Sequence, residues 1–242
     1  KLSLSKKDFF TCSNPEIPTD SSNLVLKALS LFRLKTNIQS PVSIHLEKHI
    51  PHEAGLGGGS SNAATALFAF NELFNHPLSL LELQTFGASI GSDVPFFFSE
   101  GTAFCTGRGE IVQNLKPLET ESLWIVKPKE GLKTPLIFKN LNADQLPKRD
   151  PNHFLRSFST KKPQFFNDLE APAFSLMPAL KNLKEKLFSD GFETVLMSGS
   201  GSSFFCIGNP HSFDTKCFAF TCRADFLNRE KKLWYKNKKA LQ

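Results

Sequence analysis

The sequence predicts an α+β protein of two domains. Some segments carry apolar residues at helical spacing, others alternate apolar and polar residues as strands do, and the two kinds follow no regular repeat. The 242 residues are enough for two modest domains. A polar, proline-containing stretch at residues 142–163 predicts a linker. We therefore assign residues 1–140 to an N-terminal domain and residues 141–242 to a C-terminal domain.

Two strands and a helix are predicted in the first part of the chain. Alternation at residues 2–4 indicates a short strand, and the longer alternation at residues 42–48 indicates a second one. Between them, residues 23–35 carry apolar side chains at helical spacing, and Ser21 or Ser22 is expected to cap that helix.

Four glycines and two serines precede a helical segment within residues 51–64, which read Pro-His-Glu-Ala-Gly-Leu-Gly-Gly-Gly-Ser-Ser-Asn-Ala-Ala. The helix is predicted from apolar residues on one face, which are Ala63, Ala66, Leu67, Phe70, Leu73 and Phe74. Ser60 or Ser61 is the expected N-cap, and Asn75 with Pro77 is expected to end the helix.

This glycine-rich loop predicts a phosphate site. Glycine lets the backbone approach a ligand, and the first turn of a helix offers unpaired N–H groups at the positive end of its dipole. An ordinary serine-capped turn is the alternative, but it would rarely need three consecutive glycines, which cost backbone entropy. The loop lacks the lysine of a P-loop and the pattern of a dinucleotide fingerprint. We therefore expect backbone dipoles, hydroxyls and a metal ion to neutralise the phosphate.

A third helix is predicted from a capping box at Ser79 and Glu82, and Gly91 is expected to stop it. Asp93 then lies in a turn, immediately before an apolar run at residues 94–98.

Shorter elements are predicted beyond residue 100. Residues 107–110 indicate a turn between strands, and residues 123–126 and 136–138 are short apolar elements. Residues 177–187 have helical spacing, and residues 194–207 read as strand, Ser/Gly turn and strand.

Residues 51–64 resemble the second motif of the GHMP kinases, the family of galactokinase, homoserine kinase and mevalonate kinase. Gly-Ser-Asp-Val-Pro at 91–95, Asn-Asp-Leu-Glu at 167–170 and Ser-Gly-Ser-Gly-Ser-Ser at 198–203 agree with the family in the expected order. The last of these resembles the third family motif. The triple glycine followed by Ser-Ser-Asn is most similar to the branch that acts on 4-diphosphocytidyl-2-C-methyl-D-erythritol.

The resemblance implies a fold and an activity. The family has an N-terminal domain like part of ribosomal protein S5 and a ferredoxin-like C-terminal domain. The implied enzyme is a small-molecule kinase of the non-mevalonate isoprenoid pathway. It uses ATP and Mg²⁺ to phosphorylate the 2-hydroxyl of that acceptor. A catalytically silent nucleotide-binding protein, or a GHMP kinase for another small alcohol such as homoserine or mevalonate, stays open as an alternative.

The resemblance also assigns site residues. Asp93 is the implied catalytic residue, which takes or orients the proton of the accepting hydroxyl; an Asp that only stabilises its own turn is the alternative. The implied ATP-binding residues are Pro51, His52, Glu53, Ala54, Gly55, Leu56, Gly57, Gly58, Gly59, Ser60, Ser61, Asn23, Leu24 and Lys48. The implied substrate-binding residues are Thr134, Pro135, Phe138, Gly199, Ser200 and Gly201.

Several of these assignments have plain structural alternatives. Lys48 can be a solvated lysine at a strand end, Phe138 a core residue, and residues 198–203 an ordinary hairpin turn. The resemblance instead implies that Phe138 lies where an aromatic ring can stack on the cytidine base and that residues 198–203 close the active site from the C-terminal domain. The amides of that turn could form a small anion nest. Ser60 or Ser61 could also bind Mg²⁺, and spacing does not choose between them.

Composition narrows the remaining classes. The net charge of +6 allows an anionic substrate, but no run alternates basic and aromatic residues as nucleic-acid-binding segments do. The five cysteines lack zinc-site spacing, so we expect free thiols in a reducing cytoplasm. No apolar run reaches the length of a membrane span. The expected protein is a cytoplasmic monomer or weak homodimer without nucleic-acid or membrane partners, and its basic tail at residues 231–239 is solvated.

The first family motif has no counterpart before Asn23. In the family, that motif is a strand with a lysine near the catalytic Asp. We therefore expect the chain to begin after that strand, and to bind nucleotide better than it catalyses.

Overall fold

The computed structural model describes residues 1–117, 122–157, 165–226 and Arg229; the basic tail and part of the predicted linker lie outside them. These residues form two compact units. The first contains residues 1–52 and 57–117 with Arg229, and the second contains residues 53–56 and the described residues from 122 to 226. The units divide at a different place from the boundary between residues 140 and 141, which stays a prediction. Among the described residues, no helix has the length and apolar character needed to cross a membrane.

The first unit contains two sheets and three α-helices in its described part. Its elements are β1 (Leu2–Leu4), β2 (Phe9–Cys12), α1 (Leu24–Thr36), β3 (Val42–Leu46), α2 (Gly58–Leu73), α3 (Leu80–Ile90), a 3-10 turn (Pro95–Phe98), β4 (Ala103–Thr106) and β5 (Ile111–Asn114). Strand β3 is the centre of one sheet, antiparallel to β1 and parallel to β2. Strands β4 and β5 form a separate antiparallel hairpin.

One apolar core joins the helices of this unit to the sheet around β3. Phe32 of α1 and Phe70 of α2 are fully buried, with ring centroids 5.8 Å apart. Val42 of β3 and Leu83 of α3 are buried in the same cluster. The face predicted for α2 is confirmed by its buried members, which are Ala63, Ala66, Leu67 and Phe70.

The predicted caps of α1 and α2 are wrong. Asn23 caps α1 in place of Ser21 or Ser22, because its side chain accepts a hydrogen bond from the Val25 N–H at 2.9 Å. Helix α2 begins earlier than predicted, at Gly58, with Gly57 as N-cap. Ser60 and Ser61 consequently lie inside its first turn.

The capping box of α3 is confirmed. The Ser79 N–H donates to Glu82 Oε2 at 2.8 Å, and the Glu82 N–H donates to Ser79 Oγ at 3.3 Å. The helix ends at Gly91 as predicted, but Gly91 is extended, with φ −176°. The stop therefore does not depend on the left-handed conformation that favours glycine.

Other boundaries also shift. The strand predicted at residues 42–48 ends at Leu46, and the apolar run at residues 94–98 forms a 3-10 turn with Pro95 in its first position. Residues 136–138 lie in a helix, where Thr134 and Pro135 form the first turn.

The second unit is built on one antiparallel sheet. Its elements are β6 (Ser122–Lys127), α4 (Thr134–Lys139), a 3-10 turn (Ala143–Gln145), α5 (Pro151–Ser157), α6 (Glu170–Leu176), α7 (Pro178–Ser189), β7 (Thr194–Met197), β8 (Phe204–Ile207), a 3-10 turn (Thr215–Cys217) and β9 (Phe220–Asp225). The strand order is β7-β8-β6-β9, and the three pairings are antiparallel.

This order places the first and third strands of the unit in the middle of the sheet, as in a ferredoxin-like fold. A short 3-10 turn (Thr215–Cys217) stands where that fold has its second helix. The core beneath the sheet contains Leu180 and Leu187 of α7, Val126 of β6 and Phe204 of β8. The α+β class predicted from the sequence is confirmed.

Candidate functional site

Helix α2 begins without a side-chain cap. Gly57 has a left-handed φ of 63°, and no side chain accepts a hydrogen bond from the first turn as a cap. A β-carbon on Gly57 would lie 2.8 Å from the ring of Phe97, so both the backbone and the available space require glycine. The first turn carries no acidic residue. Its N–H groups are therefore suited to an external anion.

Lys48 brings a positive charge to this helix start. A β-carbon on Gly58 would lie 2.7 Å from Lys48 Nζ, so the ammonium group lies against the first residue of α2. Burial lowers the pKa of Lys48, and the Cys12 thiol opposes that shift to a smaller extent. A cation at a helix N-terminus is unfavourable on its own. A bound phosphate would offset both this repulsion and the loss of hydration.

Asp93 lies in the turn after α3, as predicted, and its side chain is exposed. The Val94 N–H donates to the Gly91 carbonyl at 3.1 Å, and the Val94 side chain is fully buried. A β-carbon on Gly91 would lie 4.0 Å from Ser60 Oγ. The turn that carries Asp93 therefore lies beside the first turn of α2.

Cys105 of β4 lies within the electrostatic influence of Asp93. Burial raises the pKa of the Cys105 thiol, and the negative charge of Asp93 raises it further. A β-carbon on Gly109 would lie 3.8 Å from Asp93 Oδ1. The hairpin of β4 and β5 thus forms one side of the surroundings of this carboxylate.

The start of α1 also lies at the start of α2. A β-carbon on Gly59 would lie 3.3 Å from Leu24 Cδ1. Asn23 is only 8% exposed, and its side chain is engaged as the cap, with Nδ2 donating to the Pro18 carbonyl at 2.6 Å. The nucleotide-binding roles of Asn23 and Leu24 stay predictions.

In the second unit, residues 53–56 pack against the hairpin turn at residues 198–203. Ser198 Oγ donates to the Gly55 carbonyl at 2.9 Å, and the Ser203 N–H donates to the Ala54 carbonyl at 3.1 Å. Gly55 has φ 68°, and a β-carbon there would lie 2.0 Å from the Ser198 carbonyl oxygen. This position therefore accepts only glycine without rearrangement.

Thr134 connects this turn to a cavity. The Thr134 and Ser200 hydroxyl oxygens are 2.7 Å apart. The cavity has a volume of about 690 Å³ and is lined by Glu53, Leu132, Lys133, Thr134, Pro135, Leu136 and Lys139. Phe138 is 56% exposed and is absent from this lining. The core alternative for Phe138 is therefore excluded, and its stacking role stays a prediction.

Lys127 supports the loop that leads to this cavity. It is only 6% exposed, and its Nζ donates to the carbonyls of Pro128 and Glu130 at 3.0 and 3.2 Å. Burial lowers the pKa of Lys127, against the opposing charges of Glu130 and Glu53. Sequence reasoning missed this residue. Its only local signal is a lysine at the end of an apolar strand.

The predicted site residues therefore form one group in each unit. In the first unit, Leu24, Lys48, residues 57–61 and Asp93 surround the start of α2. In the second, residues 53–56 and Thr134 contact the hairpin turn, which contains residues 199–201. Pro51 and His52 belong to the first unit, and their roles in ATP binding stay predictions. No cluster of three or more metal-binding side chains occurs in the part of the chain that the structure describes.

Two family models match the chain. The model described as the GHMP kinases N-terminal domain matches residues 23–101, and that described as GHMP kinases C-terminal matches residues 148–215. The predicted boundary between residues 140 and 141 falls between the two matches.

Named proteins are similar along most of the chain. A protein of Protochlamydia amoebophila, 4-diphosphocytidyl-2-C-methyl-D-erythritol kinase, is 54% identical over 231 residues, which are 94% of this chain and 77% of that protein. The chloroplastic protein of the same name from Arabidopsis thaliana is 43% identical, and the match covers 98% of this chain and 66% of that protein. The chain thus spans slightly less than two thirds of this plant relative.

A solved structure has the same fold. The crystal structure of a 4-(cytidine 5'-diphospho)-2C-methyl-D-erythritol kinase superposes with a TM-score of 0.77 at 29% identity and covers 94% of this chain and 85% of that chain. Together with the two family matches, it confirms the predicted two-domain architecture.

Proposed function

The chain belongs to the GHMP kinase family, and from this membership we propose that it is an ATP-dependent kinase of 4-diphosphocytidyl-2-C-methyl-D-erythritol. It transfers the γ-phosphoryl group to the 2-hydroxyl in the non-mevalonate route to isoprenoid precursors. The observation that carries this proposal is the 54% identity to a kinase of that name over 94% of the chain. The uncapped, glycine-rich start of α2 supplies the chemistry that a triphosphate needs.

ATP is held through its phosphates at the start of α2. The N–H groups of Gly58, Gly59 and Ser60 donate to phosphate oxygens, and Lys48 neutralises part of the charge. This role is supported by the position of Lys48 Nζ against Gly58. Leu24, beside Gly59, lies where an adenosine can follow the phosphates.

Asp93 acts on the accepting hydroxyl. Phosphoryl transfer depends mainly on positioning and on neutralising the developing charge. A carboxylate that orients the hydroxyl, or takes its proton, completes that arrangement. The support is that Asp93 is exposed and that its turn lies beside Ser60.

Mg²⁺ fits the donors around Asp93. Hydroxyl and carboxylate oxygens are the ligands that this ion prefers, and it usually binds through one or two of them together with phosphates and water. Ser60 or Ser61 with Asp93 would hold it. When bound, it supplies further neutralisation of the triphosphate.

The acceptor occupies the second unit through its cytidine diphosphate part. Thr134 and Pro135 line a cavity of about 690 Å³, and Phe138 offers an exposed ring for stacking on a base. Gly199, Ser200 and Gly201 offer backbone groups next to Thr134. ATP and the acceptor are thus assigned to different residues, ATP to the start of α2 and the acceptor to the second unit.

We also propose a cytoplasmic monomer or weak homodimer. The five cysteines are free, which favours a reducing compartment. Sedimentation at several concentrations measures the oligomeric state, and fractionation of cells that produce the protein measures the compartment.

A coupled assay of ADP release tests the proposed activity. With MgATP, release should require 4-diphosphocytidyl-2-C-methyl-D-erythritol and should stay at background with homoserine or mevalonate. Faster release with homoserine or mevalonate would assign the chain to another GHMP substrate. Calorimetric ATP binding without release for any acceptor would identify a silent nucleotide-binding protein.

A further inference from the structure

The segment Asn-Asp-Leu-Glu at residues 167–170 makes polar contacts with the end of strand β7 and with the turn that follows it. Asn167 Nδ2 donates to the carbonyls of Met197 and Gly199 at 2.8 and 2.7 Å. Its Oδ1 accepts from the Leu169 N–H at 2.9 Å. One amide side chain therefore joins the start of α6 to the turn that follows β7.

Glu170 holds the other side of the same strand end. Its Oε1 accepts from the Met197 N–H at 2.9 Å, and Lys184 Nζ lies 2.9 and 2.6 Å from its two carboxylate oxygens. Both side chains are largely buried, with 15% exposure for Glu170 and 21% for Lys184. The N–H and the carbonyl of Met197 are thus both fixed from this segment.

The hydrogen bond to the Gly199 carbonyl also sets the direction of an N–H group. The Gly199-Ser200 peptide is trans, as nearly all peptide bonds without proline are. In a trans peptide the carbonyl and the N–H point in opposite directions. Because Asn167 binds the Gly199 carbonyl, the Ser200 N–H points away from Asn167.

That N–H has no acceptor among the described residues. Ser200 is 7% exposed, and within the described residues its N–H makes no hydrogen bond, while its hydroxyl pairs with Thr134. A buried N–H without an acceptor is unfavourable, and native proteins satisfy nearly all such groups. An anionic oxygen of a ligand would satisfy this one.

We infer that Asn167 is a positioning residue, which turns the Gly199-Ser200 peptide so that the Ser200 N–H receives a phosphate oxygen of a bound substrate. Glu170 and Lys184 hold the strand end in the register that this requires. The inference rests on the proposed function, since the acceptor, which is assigned to the second unit, supplies the phosphate through its diphosphate.

The test compares Asn167→Asp with the wild type. Aspartate keeps the acceptor for the Leu169 N–H but loses both donors and places a negative charge against two carbonyls. We expect kcat to fall on the order of tenfold to a hundredfold, as for a misplaced catalytic contact. The Kd for ATP should change by less than about threefold, because the start of α2 binds ATP independently of this turn.

Asp168→Asn is the matched control. It makes the reverse change, from carboxylate to amide, at the adjacent residue. It removes the ion pair between Asp168 and Arg149 at 2.6 Å, and that ion pair does not involve the turn. It should keep kcat near the wild-type value. If Asp168→Asn lowers kcat as much as Asn167→Asp does, general disturbance of the segment explains the effect and the inference is overturned.

A spectroscopic measurement reads the Ser200 N–H directly. In ¹⁵N-labelled wild type, the Ser200 amide resonance should shift on adding CDP or inorganic pyrophosphate to saturation. In Asn167→Asp that shift should be lost, and in Asn167→Ser, which keeps one donor, it should be reduced. Shifts at Gly58 and Gly59 with MgATP should persist in both variants.

The outcomes separate this inference from the proposed function. A wild type that phosphorylates the acceptor but shows no Ser200 shift with either CDP or pyrophosphate overturns the inference alone. A Ser200 shift that depends on Asn167, in a protein that phosphorylates nothing, overturns the proposed function and supports the inference. If Asn167→Asp does not fold, Asn167→Ser and the wild-type titration still decide it.

Discussion

At the scale of single residues, Asp93 presents an exposed carboxylate in the turn beside the start of α2. Asp93→Asn keeps the size of the side chain and removes the charge and the proton acceptor. We predict that kcat falls about 10²- to 10⁴-fold, as for the loss of a general base, while calorimetric ATP affinity stays close to wild type. Wild-type kcat in Asp93→Asn would show that Asp93 only stabilises its turn.

The thiol of Cys105 checks that this variant removes charge without disturbing the fold. Burial and the Asp93 charge both disfavour the thiolate, so Asp93→Asn should lower the pKa of Cys105. Alkylation of Cys105 at mildly alkaline pH should then become faster. Cys222, whose thiol pKa is raised by burial alone, should react at an unchanged rate.

Lys48 is predicted to reduce stability in the free protein and to increase ATP affinity. Replacing it by methionine removes a poorly hydrated cation from a helix N-terminus, so Lys48→Met should unfold at a higher temperature without ATP. ATP should bind about tenfold to a hundredfold more weakly, since a charge-assisted contact is lost. Lys27→Met, an exposed lysine of the same unit, should change neither quantity. Unchanged ATP affinity in Lys48→Met would contradict the role given to the ammonium group.

The sign of the pH dependence follows from the lowered pKa of Lys48. At pH values below its folded pKa, Lys48 is charged in both states, and its burial costs stability in full. As pH rises from the folded pKa towards the ordinary value, the unfolded chain holds more protons and the wild type gains stability. The stability advantage of Lys48→Met should therefore shrink at alkaline pH.

At the scale of elements, the start of α2 depends on the absence of side chains. A β-carbon on Gly58 would lie 2.7 Å from Lys48 Nζ and 3.1 Å from Ile50 Cγ2. Gly58→Val should therefore displace Lys48, cover the first N–H groups and reduce ATP binding below detection by calorimetry. Gly91→Ala adds a side chain where the nearest atom beyond the adjoining residues is Val94 Cγ2, 3.6 Å away, and φ is −176°, and it should keep ATP affinity. Equal affinity in Gly58→Val would refute binding at this helix start.

The sequence predicted elements well where the signal is local. The capping box of α3, the apolar face of α2 and the strand–turn–strand around residues 198–203 depend on neighbouring residues, and the structure has all three. The predicted cap of α1 was wrong because three polar residues precede the helix, and only the contacts in the structure show which of them caps it. The run at residues 94–98 was predicted only as apolar, and its form, a 3-10 turn with Pro95 in the first position and Val94 buried, came from the structure.

Contacts between distant segments were beyond the sequence. The position of Lys48 Nζ against Gly58 depends on how residues 47–52 turn after β3, and no periodicity records that turn. The bonds from Asn167 to Met197 and Gly199 join residues about 30 positions apart. The motif at residues 167–170 was recognisable, but only the structure connects it to the turn.

At the scale of the whole molecule, the chain forms two units with separate cores, and each carries part of the proposed site. The sheet order β7-β8-β6-β9 pairs strands from opposite ends of the second unit, so only the family resemblance predicted it. Family membership follows from similarity along nearly the whole chain. The identity of the substrate is a more specific claim than membership of the family.

The fate of the γ-phosphoryl group tests the central claim most directly. We would incubate the protein with MgATP and 4-diphosphocytidyl-2-C-methyl-D-erythritol and follow the reaction by ³¹P NMR. The account predicts one new phosphomonoester resonance, which grows as the γ-phosphate signal of ATP decreases, while the diphosphate of the acceptor stays intact. Loss of the γ-phosphate signal to inorganic phosphate alone, or no change with this acceptor, would contradict it.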